Sequence, residues 1–341
     1  MIDERIFCAL ILLACAAGAN AQDARRGAYL AKAADCIGCH TEEKPGAMPF
    51  AGGRALTTPF GTFYGSNITP DQKNGIGRWT EADFFRAMHE GTSPDGRPYY
   101  PAFPYPSFTK ITDDDLRDLW AYLRSLPPSA RENHPHDLRF PFRWRSLVFV
   151  WKRLFFTPGR FAGAPAATPV LSRGAYLVQA LGHCGECHTP RNVFGAPKKD
   201  RYLAGGTGPD GKKVPNLTPT RLAKISDEGL RDLLTSGTYP DGDQPAEAMA
   251  EVIRNTTSQL TPHDLDAMIA YLRSLPPLAE EPKGPRRNLV VAVVLIVLAG
   301  ALLGARLLPR IRSRVLRLVL LAVIALVVLA VLGFSLLGPG P

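Results

Sequence analysis

The sequence predicts an all-α fold in which one domain occurs in two tandem copies, followed by a C-terminal transmembrane helical hairpin. Three observations support this architecture. Distinct sequence blocks occur twice in the same order, helix signals recur in both copies while strand patterns are sparse, and two long apolar runs close the chain. A length of 341 residues accommodates two domains with additional segments.

The repeated blocks define the limits of the two copies. They pair 26–30 with 173–177 (RGAYL in both), 51–53 with 204–206 (AGG), 67–70 with 216–219 (NITP and NLTP), 94–96 with 240–242 (PDG) and 111–128 with 260–277 (ending in AYLRSLPP). Matched blocks in one order indicate a duplicated domain. We predict domain 1 over residues 22–128, a linker over 129–169, and domain 2 over 170–278.

Both copies contain the pattern C-x-x-C-H, at 36–40 and 184–188. This pattern is the attachment signature of a c-type haem. Positions i, i+3 and i+4 share one face of a helix, so two thiols can form thioethers to one porphyrin edge while the histidine stands beneath the iron. We therefore predict two covalently bound haem c groups, held by Cys36, Cys39, Cys184 and Cys187, with His40 and His188 as proximal ligands. Such histidines usually donate their other N–H to a carbonyl, and the expected acceptor for His188 is the backbone of Pro190.

A structural zinc site and a redox-active dithiol are the alternative interpretations of these motifs. Zinc requires a further Cys/His pair, and every cysteine outside the two motifs falls within the first 21 residues. A dithiol does not need the histidine that follows both motifs. Haem attachment is therefore favoured.

The last helix of each copy is expected to begin after Thr112 or Thr261 as N-cap and to stop at a Pro-Pro pair. A shorter helix is expected near 79–89 and near 227–234. With few helices and long loops, most of the buried surface should pack around the haem.

The sixth iron ligand is expected to differ between the copies. Met249 lies seven residues after the PDG block of the second copy, where a distal methionine is expected, and His/Met ligation raises the redox potential. The first copy has Phe103 at that position, and phenylalanine cannot bind iron. Three alternatives stay open for the first haem, namely Met88, His89 or a five-coordinate iron, and Met88 is favoured.

The two ends of the chain predict export and a membrane. Residues 1–21 are an apolar segment ending in Ala-Asn-Ala, which is typical of a cleaved signal peptide, with lipidation of Cys15 as the alternative. Residues 288–308 and 315–337 are each long enough to span a bilayer. The arginines between them predict a cytoplasmic loop, with the haem domains facing the periplasm on the inner (cell) membrane of a bacterium.

The linker holds a basic amphipathic stretch at 142–156 (FRWRSLVFVWKRLFF). It could dock on a membrane surface, but a helix packed between the two domains is favoured, since apolar stripes usually face a core. The formal net charge of +9 does not predict a nucleic-acid partner, because residues 286–341 contribute seven arginines and no acid.

The chain resembles the two-domain (dihaem) c-type cytochromes that are the cytochrome c subunits of membrane-bound periplasmic dehydrogenases of the quinoprotein alcohol dehydrogenase and molybdenum hydroxylase type. The resemblance covers roughly residues 24–278 and is carried by the paired blocks, CIGCHT, CGECHTPRN and YPAFPYPSFTKITDDDL. Two features depart from these relatives: there is no third C-x-x-C-H, as the alcohol dehydrogenase subunits have, and Phe103 replaces a methionine seen in many of them.

The resemblance implies two tandem cytochrome c domains in a membrane-anchored carrier. It would pass electrons from a periplasmic dehydrogenase catalytic subunit to quinone, another cytochrome or a terminal oxidase. No flavin, quinone-cofactor or nucleotide fingerprint is visible, so substrate chemistry would belong to another chain and no catalytic residue is assigned. The alternatives are a self-contained dihaem oxidoreductase such as a thiosulfate dehydrogenase, which needs a labile first iron, and a cytochrome module of a respiratory oxidase.

Overall fold

The computed structural model describes residues 23–163, 167–192, 194–208, 211–239 and 241–280. The predicted signal peptide and the predicted spans at 288–308 and 315–337 lie outside these residues. Of the described residues, 23–190 and 197–280 belong to one compact unit. Both C-x-x-C-H motifs lie in this unit.

The prediction of an all-α fold with a C-terminal transmembrane hairpin is wrong. Helices dominate, but two small antiparallel sheets accompany them, one with the order β1 (Ala55–Thr58), β2 (Gly61–Tyr64), β3 (Asp137–Leu138) and one made of β4 (Gly206–Thr207) and β5 (Lys213–Val214). Strands of two to four residues are too short to show an alternating pattern in the sequence. Within the described residues no helix has both the length and the apolar character needed to cross a bilayer, so the hairpin is not supported.

The first copy is built on helices whose ends are fixed by side-chain caps. They are α1 (Ala24–Ala33), α2 (Cys36–His40), α3 (Glu81–Glu90), α4 (Tyr105–Phe108) and α5 (Asp113–Ser125). The Asp23 carboxylate accepts N–H groups at the start of α1, and Thr80 forms a capping box with Asp83 at α3. Thr112 caps α5 as the sequence predicts, and Thr261 does the same for the last helix of the second copy.

The linker helix is α6 (Arg145–Phe155), and the second copy repeats the plan of the first. Its helices are α7 (Pro169–Tyr176), α8 (Gly185–His188), α9 (Pro219–Leu222), α10 (Asp227–Ser236), α11 (Glu247–Asn255) and α12 (Pro262–Ser274), with 3₁₀ turns at Lys199–Arg201 and Thr257–Gln259. One π-helical turn, Leu177–Leu181, extends α7. The second copy has one more residue than the first between RGAYL and its first cysteine, and such a turn accommodates an inserted residue without breaking the helix.

The first and last helices of each copy cross closely, α1 against α5 and α7 against α12. The glycine of each RGAYL block permits this crossing. A Cβ at Gly27 would overlap the carbonyl oxygen of Asp118, and one at Gly174 would overlap that of Ala267. Leu30, Leu116 and Met268 are buried around these crossings, which anchors the helix that leads into each C-x-x-C-H motif.

The two copies meet through a reciprocal pair of tyrosines. The hydroxyl of Tyr176 donates to Asp115 of the first copy at 2.6 Å, and that of Tyr29 donates to Asp264 of the second copy at 2.6 Å. Each aspartate also pairs with the arginine of its own RGAYL block, Arg26 or Arg173. Equivalent residues therefore meet from both sides, as in the isologous interface of a symmetric dimer.

The linker helix α6 exposes several of its apolar side chains. Only Val148 of α6 is buried. The side of α6 that faces the protein is made of Arg145, Val148, Trp151, Lys152 and Phe155, whereas the stripe of Leu147, Val150 and Leu154 is exposed.

Candidate haem-attachment sites

Each C-x-x-C-H motif follows a sharp change of chain direction. Asp35 and His183, which directly precede the first cysteine of each motif, both adopt left-handed backbone angles, with φ of 48° and 37°. Cys36 opens α2, which brings Cys36, Cys39 and His40 onto one short helix, as predicted. In the second copy Cys184 stands at the cap of α8, which contains the other two motif residues, Cys187 and His188. The four cysteines of the described residues form no disulfide.

The ring of each predicted proximal histidine is oriented by a backbone carbonyl. Nδ1 of His40 lies 2.6 Å from the oxygen of Ser66, and Nδ1 of His188 lies 2.7 Å from that of Pro215. A carbonyl only accepts, so Nδ1 carries the hydrogen and Nε2 keeps its lone pair for a metal. Burial lowers the pKa of both histidines, which favours this neutral form. The acceptor for His188 is Pro215 rather than the predicted Pro190.

The AGG block of each copy holds the backbone of the predicted proximal histidine. The N–H of Gly52 donates to the carbonyl of His40 at 2.7 Å, and that of Gly205 donates to the carbonyl of His188 at 2.9 Å. Both glycines have positive φ, 76° and 89°, which favours glycine at this point of the AGG block.

The Asn-x-Thr-Pro blocks secure the other side of the same loops. Asn67 and Asn216 directly follow the residues whose carbonyls accept from the histidines, and both are buried. The amide of Asn67 donates to the carbonyl of Ser129 at 2.8 Å, and that of Asn216 donates to the carbonyl of Leu278 at 2.7 Å. Each block thus ties the histidine-orienting loop to the segment just after the last helix of its copy.

The residues present fit covalently bound haem. Burial raises the pKa of Cys36, Cys39 and Cys184 to about 12, so that these thiols are protonated before attachment. The buried Nε atoms of Arg54 and Arg131, which flank the first site, have no protein partner and suit a propionate. Within the described ranges no group of three or more His, Cys, Asp or Glu side chains is arranged to hold a metal ion.

The predicted sixth ligands lie in different surroundings. Met249 is half-buried in the first turn of α11, whereas Met88 is buried in the core on α3. Nε2 of the buried His89 donates to the carbonyl of Ile111 at 2.9 Å, which occupies the nitrogen that would bind iron. Burial lowers the pKa of His89 to about 4. Phe103 packs against neighbouring aromatic rings. Ligation by Met249 and by Met88 stays a prediction.

Each motif also contacts the other copy, which the sequence did not indicate. Helix α11, which carries Met249, packs against α2, and Glu251 of α11 pairs with Arg54 at 2.8 Å. In return, the hydroxyl of Ser107 donates to Glu186 of the second motif at 2.9 Å. Asp35 lies at this contact, and burial together with the charge of Glu251 raises its pKa to about 7. No local motif marks these residues, because their partners are distant in the chain.

Comparison with known proteins agrees with this geometry. The cytochrome c family model matches residues 24–127. A dihaem c-type cytochrome of Cereibacter sphaeroides is 45% identical over 258 residues, which cover 74% of this chain and 86% of that protein. The chain belongs to the dihaem c-type cytochromes. The prediction of two covalently bound haem c groups is thereby confirmed.

Two further relatives are named as parts of dehydrogenases, which confirms the resemblance found in the sequence. A nicotinate dehydrogenase component of Pseudomonas putida is 44% identical over 253 residues, covering 73% of this chain and 21% of that protein. The cytochrome c subunit of the quinone alcohol dehydrogenase of Gluconobacter oxydans is 37% identical over 295 residues, covering 81% and 61%. The chain therefore spans less than two thirds of either of these two relatives.

Proposed function

We propose that the chain is an electron-transfer subunit that accepts electrons from the catalytic subunit of a dehydrogenase and passes them to the respiratory chain. The observation that carries the proposal is that the helix with Met249 packs directly against the helix with Cys36 and Cys39. Two haem sites in direct contact through these helices suit stepwise transfer of electrons from one haem to the other. The relatives support a dehydrogenase as donor, since two of them are named as parts of dehydrogenases.

Bound haem supplies one-electron chemistry, and the residues of the chain hold and tune it. The paired thiols fix the porphyrin edge, and the carbonyls of Ser66 and Pro215 fix the planes of the axial imidazoles. The second copy offers Met249 where the first has Phe103. A thioether ligand raises the potential, so if Met88 does not bind the first iron, electrons should enter at the first haem and leave from the second.

The proposed location is the outer side of the bacterial inner membrane, with the haem domains in the periplasm. Covalent haem attachment takes place outside the cytoplasm in bacteria, and residues 1–21 have the pattern of an export signal. All four described cysteines belong to the attachment motifs. The proposed downstream acceptor is a quinone, another cytochrome or a terminal oxidase.

The test is reduction of the purified holoprotein by the dehydrogenase that copurifies with it in mild detergent. Adding the substrate of that dehydrogenase should reduce both haems, which absorbance in the α band follows, and redox titration should assign the higher midpoint potential to the second haem. If the chain alone oxidises thiosulfate or another small donor, the carrier function is wrong and a self-contained oxidoreductase takes its place.

A variant pair tests the contact between the sites. Glu251→Gln removes the carboxylate of α11 that pairs with Arg54 of the first copy, so it should change the rate of electron transfer between the haems after a single-electron pulse. The control is Glu228→Gln on the exposed side of α10. Equal rates in both variants would show that this contact does not connect the two centres.

A further inference from the structure

An apolar patch stands exposed on the linker between the two copies. Seven of the nine large apolar side chains exposed in the described residues lie between residues 140 and 154. We define the linker patch by six of them: Phe140, Trp144, Leu147, Phe149, Val150 and Leu154. Their exposed fractions run from 41% at Leu147 to 68% at Leu154. Exposed apolar side chains concentrated in one segment often mark a contact site.

The patch is presented by a helix that is held in place. Nη1 of Arg145 donates to the carbonyl of Pro98 at 2.9 Å, and Nζ of Lys152 donates to the hydroxyl of Thr92 at 2.7 Å. Val148, between them on the same side, is buried at 6% exposure. Leu147, Val150 and Leu154 follow at intervals of three and four residues and therefore form one stripe on another side of α6.

Most charges in the sequence around the linker patch are positive. Arg139, Arg143 and Arg153 are exposed beside it. No aspartate or glutamate occurs between Asp137 and Glu186. A surface in which cations and apolar side chains predominate complements a layer of phosphates above hydrocarbon, whereas a protein interface usually has hydrogen-bonding groups of both kinds at its rim.

We propose that the linker patch rests on the headgroup layer of an anionic phospholipid bilayer, with α6 parallel to the surface. Its aliphatic and aromatic side chains enter the boundary of the acyl chains, and the three arginines pair with lipid phosphates. This is a surface contact, and it does not depend on the proposed function. Thr92 and Pro98, to which α6 is tied, belong to the loop leading to Phe103, so the contact would hold the first haem domain close to the lipid.

A spin label tests the contact where it is made. In the holoprotein the four motif cysteines are consumed by haem, so the full chain with Leu154→Cys carries one reactive thiol in its mature part, and Lys224→Cys on the exposed surface of the second copy is the control. Each labelled protein is mixed with vesicles of phosphatidylcholine alone or with one quarter phosphatidylglycerol, and accessibility to oxygen and to a water-soluble nickel chelate is measured by power-saturation electron paramagnetic resonance.

The label at position 154 should gain oxygen accessibility and lose nickel accessibility on the anionic vesicles, while the label at 224 stays aqueous. Combining Leu154→Cys with Arg139→Glu, Arg143→Glu and Arg153→Glu should abolish the change, and added salt should weaken it. The proposal is overturned if label 154 stays as aqueous as label 224 on both vesicles, even when the protein is bound to them through another segment. It is also overturned if label 154 is shielded only by the copurified dehydrogenase, since the patch would then be a protein interface.

Discussion

Replacement of Tyr176 by phenylalanine tests the link between the two copies. The hydroxyl donates to the carboxylate of Asp115 at 2.6 Å and accepts the N–H of Thr112 at 3.1 Å, while the ring is 6% exposed. Phenylalanine keeps the ring and removes only these two hydrogen bonds. A hydrogen bond to a charged group contributes about 1.5–3 kcal/mol, and burial here limits screening by solvent. We expect a loss of about 2 kcal/mol of unfolding free energy from the same principle.

Thermal unfolding of the holoprotein, followed by circular dichroism in the far ultraviolet and in the Soret band, measures this loss. For a region of this size 1 kcal/mol corresponds to about 2–4 °C, so Tyr176→Phe should lower the Tm by about 4–8 °C. Tyr29→Phe, whose bond to Asp264 is only partly buried, should lower it less. The control is Tyr105→Phe, because the buried hydroxyl of Tyr105 has no partner. An unchanged Tm for Tyr176→Phe, or an equal drop for Tyr105→Phe, would refute the reasoning.

Three further predictions concern single sites. Gly27→Ala should destabilise the chain by about 1–3 kcal/mol, because its Cβ would overlap the backbone of α5, whereas Gly159→Ala meets open space and should not; chemical denaturation compares them. The pKa of Asp35 is raised from 3.8 to about 7. The unfolding free energy therefore falls as the pH rises from about 4 to about 7, because the folded state resists ionisation of this carboxyl. Asp35→Asn removes that penalty and should raise the Tm at about pH 8 but not at about pH 4. Met249→Leu should give a high-spin second haem of lower potential, while Met268→Leu in the core should change neither spectrum nor potential.

Several expectations failed because they concern contacts beyond the reach of a local pattern. The strands are too short to alternate visibly, so the sheets were not predicted. The acceptor for His188 is Pro215, because the backbone loop 27 residues further along the chain, rather than the residue next to the motif, faces the imidazole. The apolar residues of α6 were expected to face a core, but only part of them do, with Val148 buried beside Arg145 and Lys152 while Leu147, Val150 and Leu154 are exposed.

The amino-acid sequence by itself determined the covalent chemistry and the duplication. C-x-x-C-H acts within one turn of helix, so its geometry is set by residue spacing alone, and repeated blocks are visible without any structure. Only the tertiary structure decided how the two copies meet, that Tyr29 and Tyr176 each bind the aspartate of the opposite copy, and that α11 packs against α2. These contacts join residues 61 to 235 positions apart, and the free energy that selects them comes from burial and charge pairing, which exist only once the chain is folded.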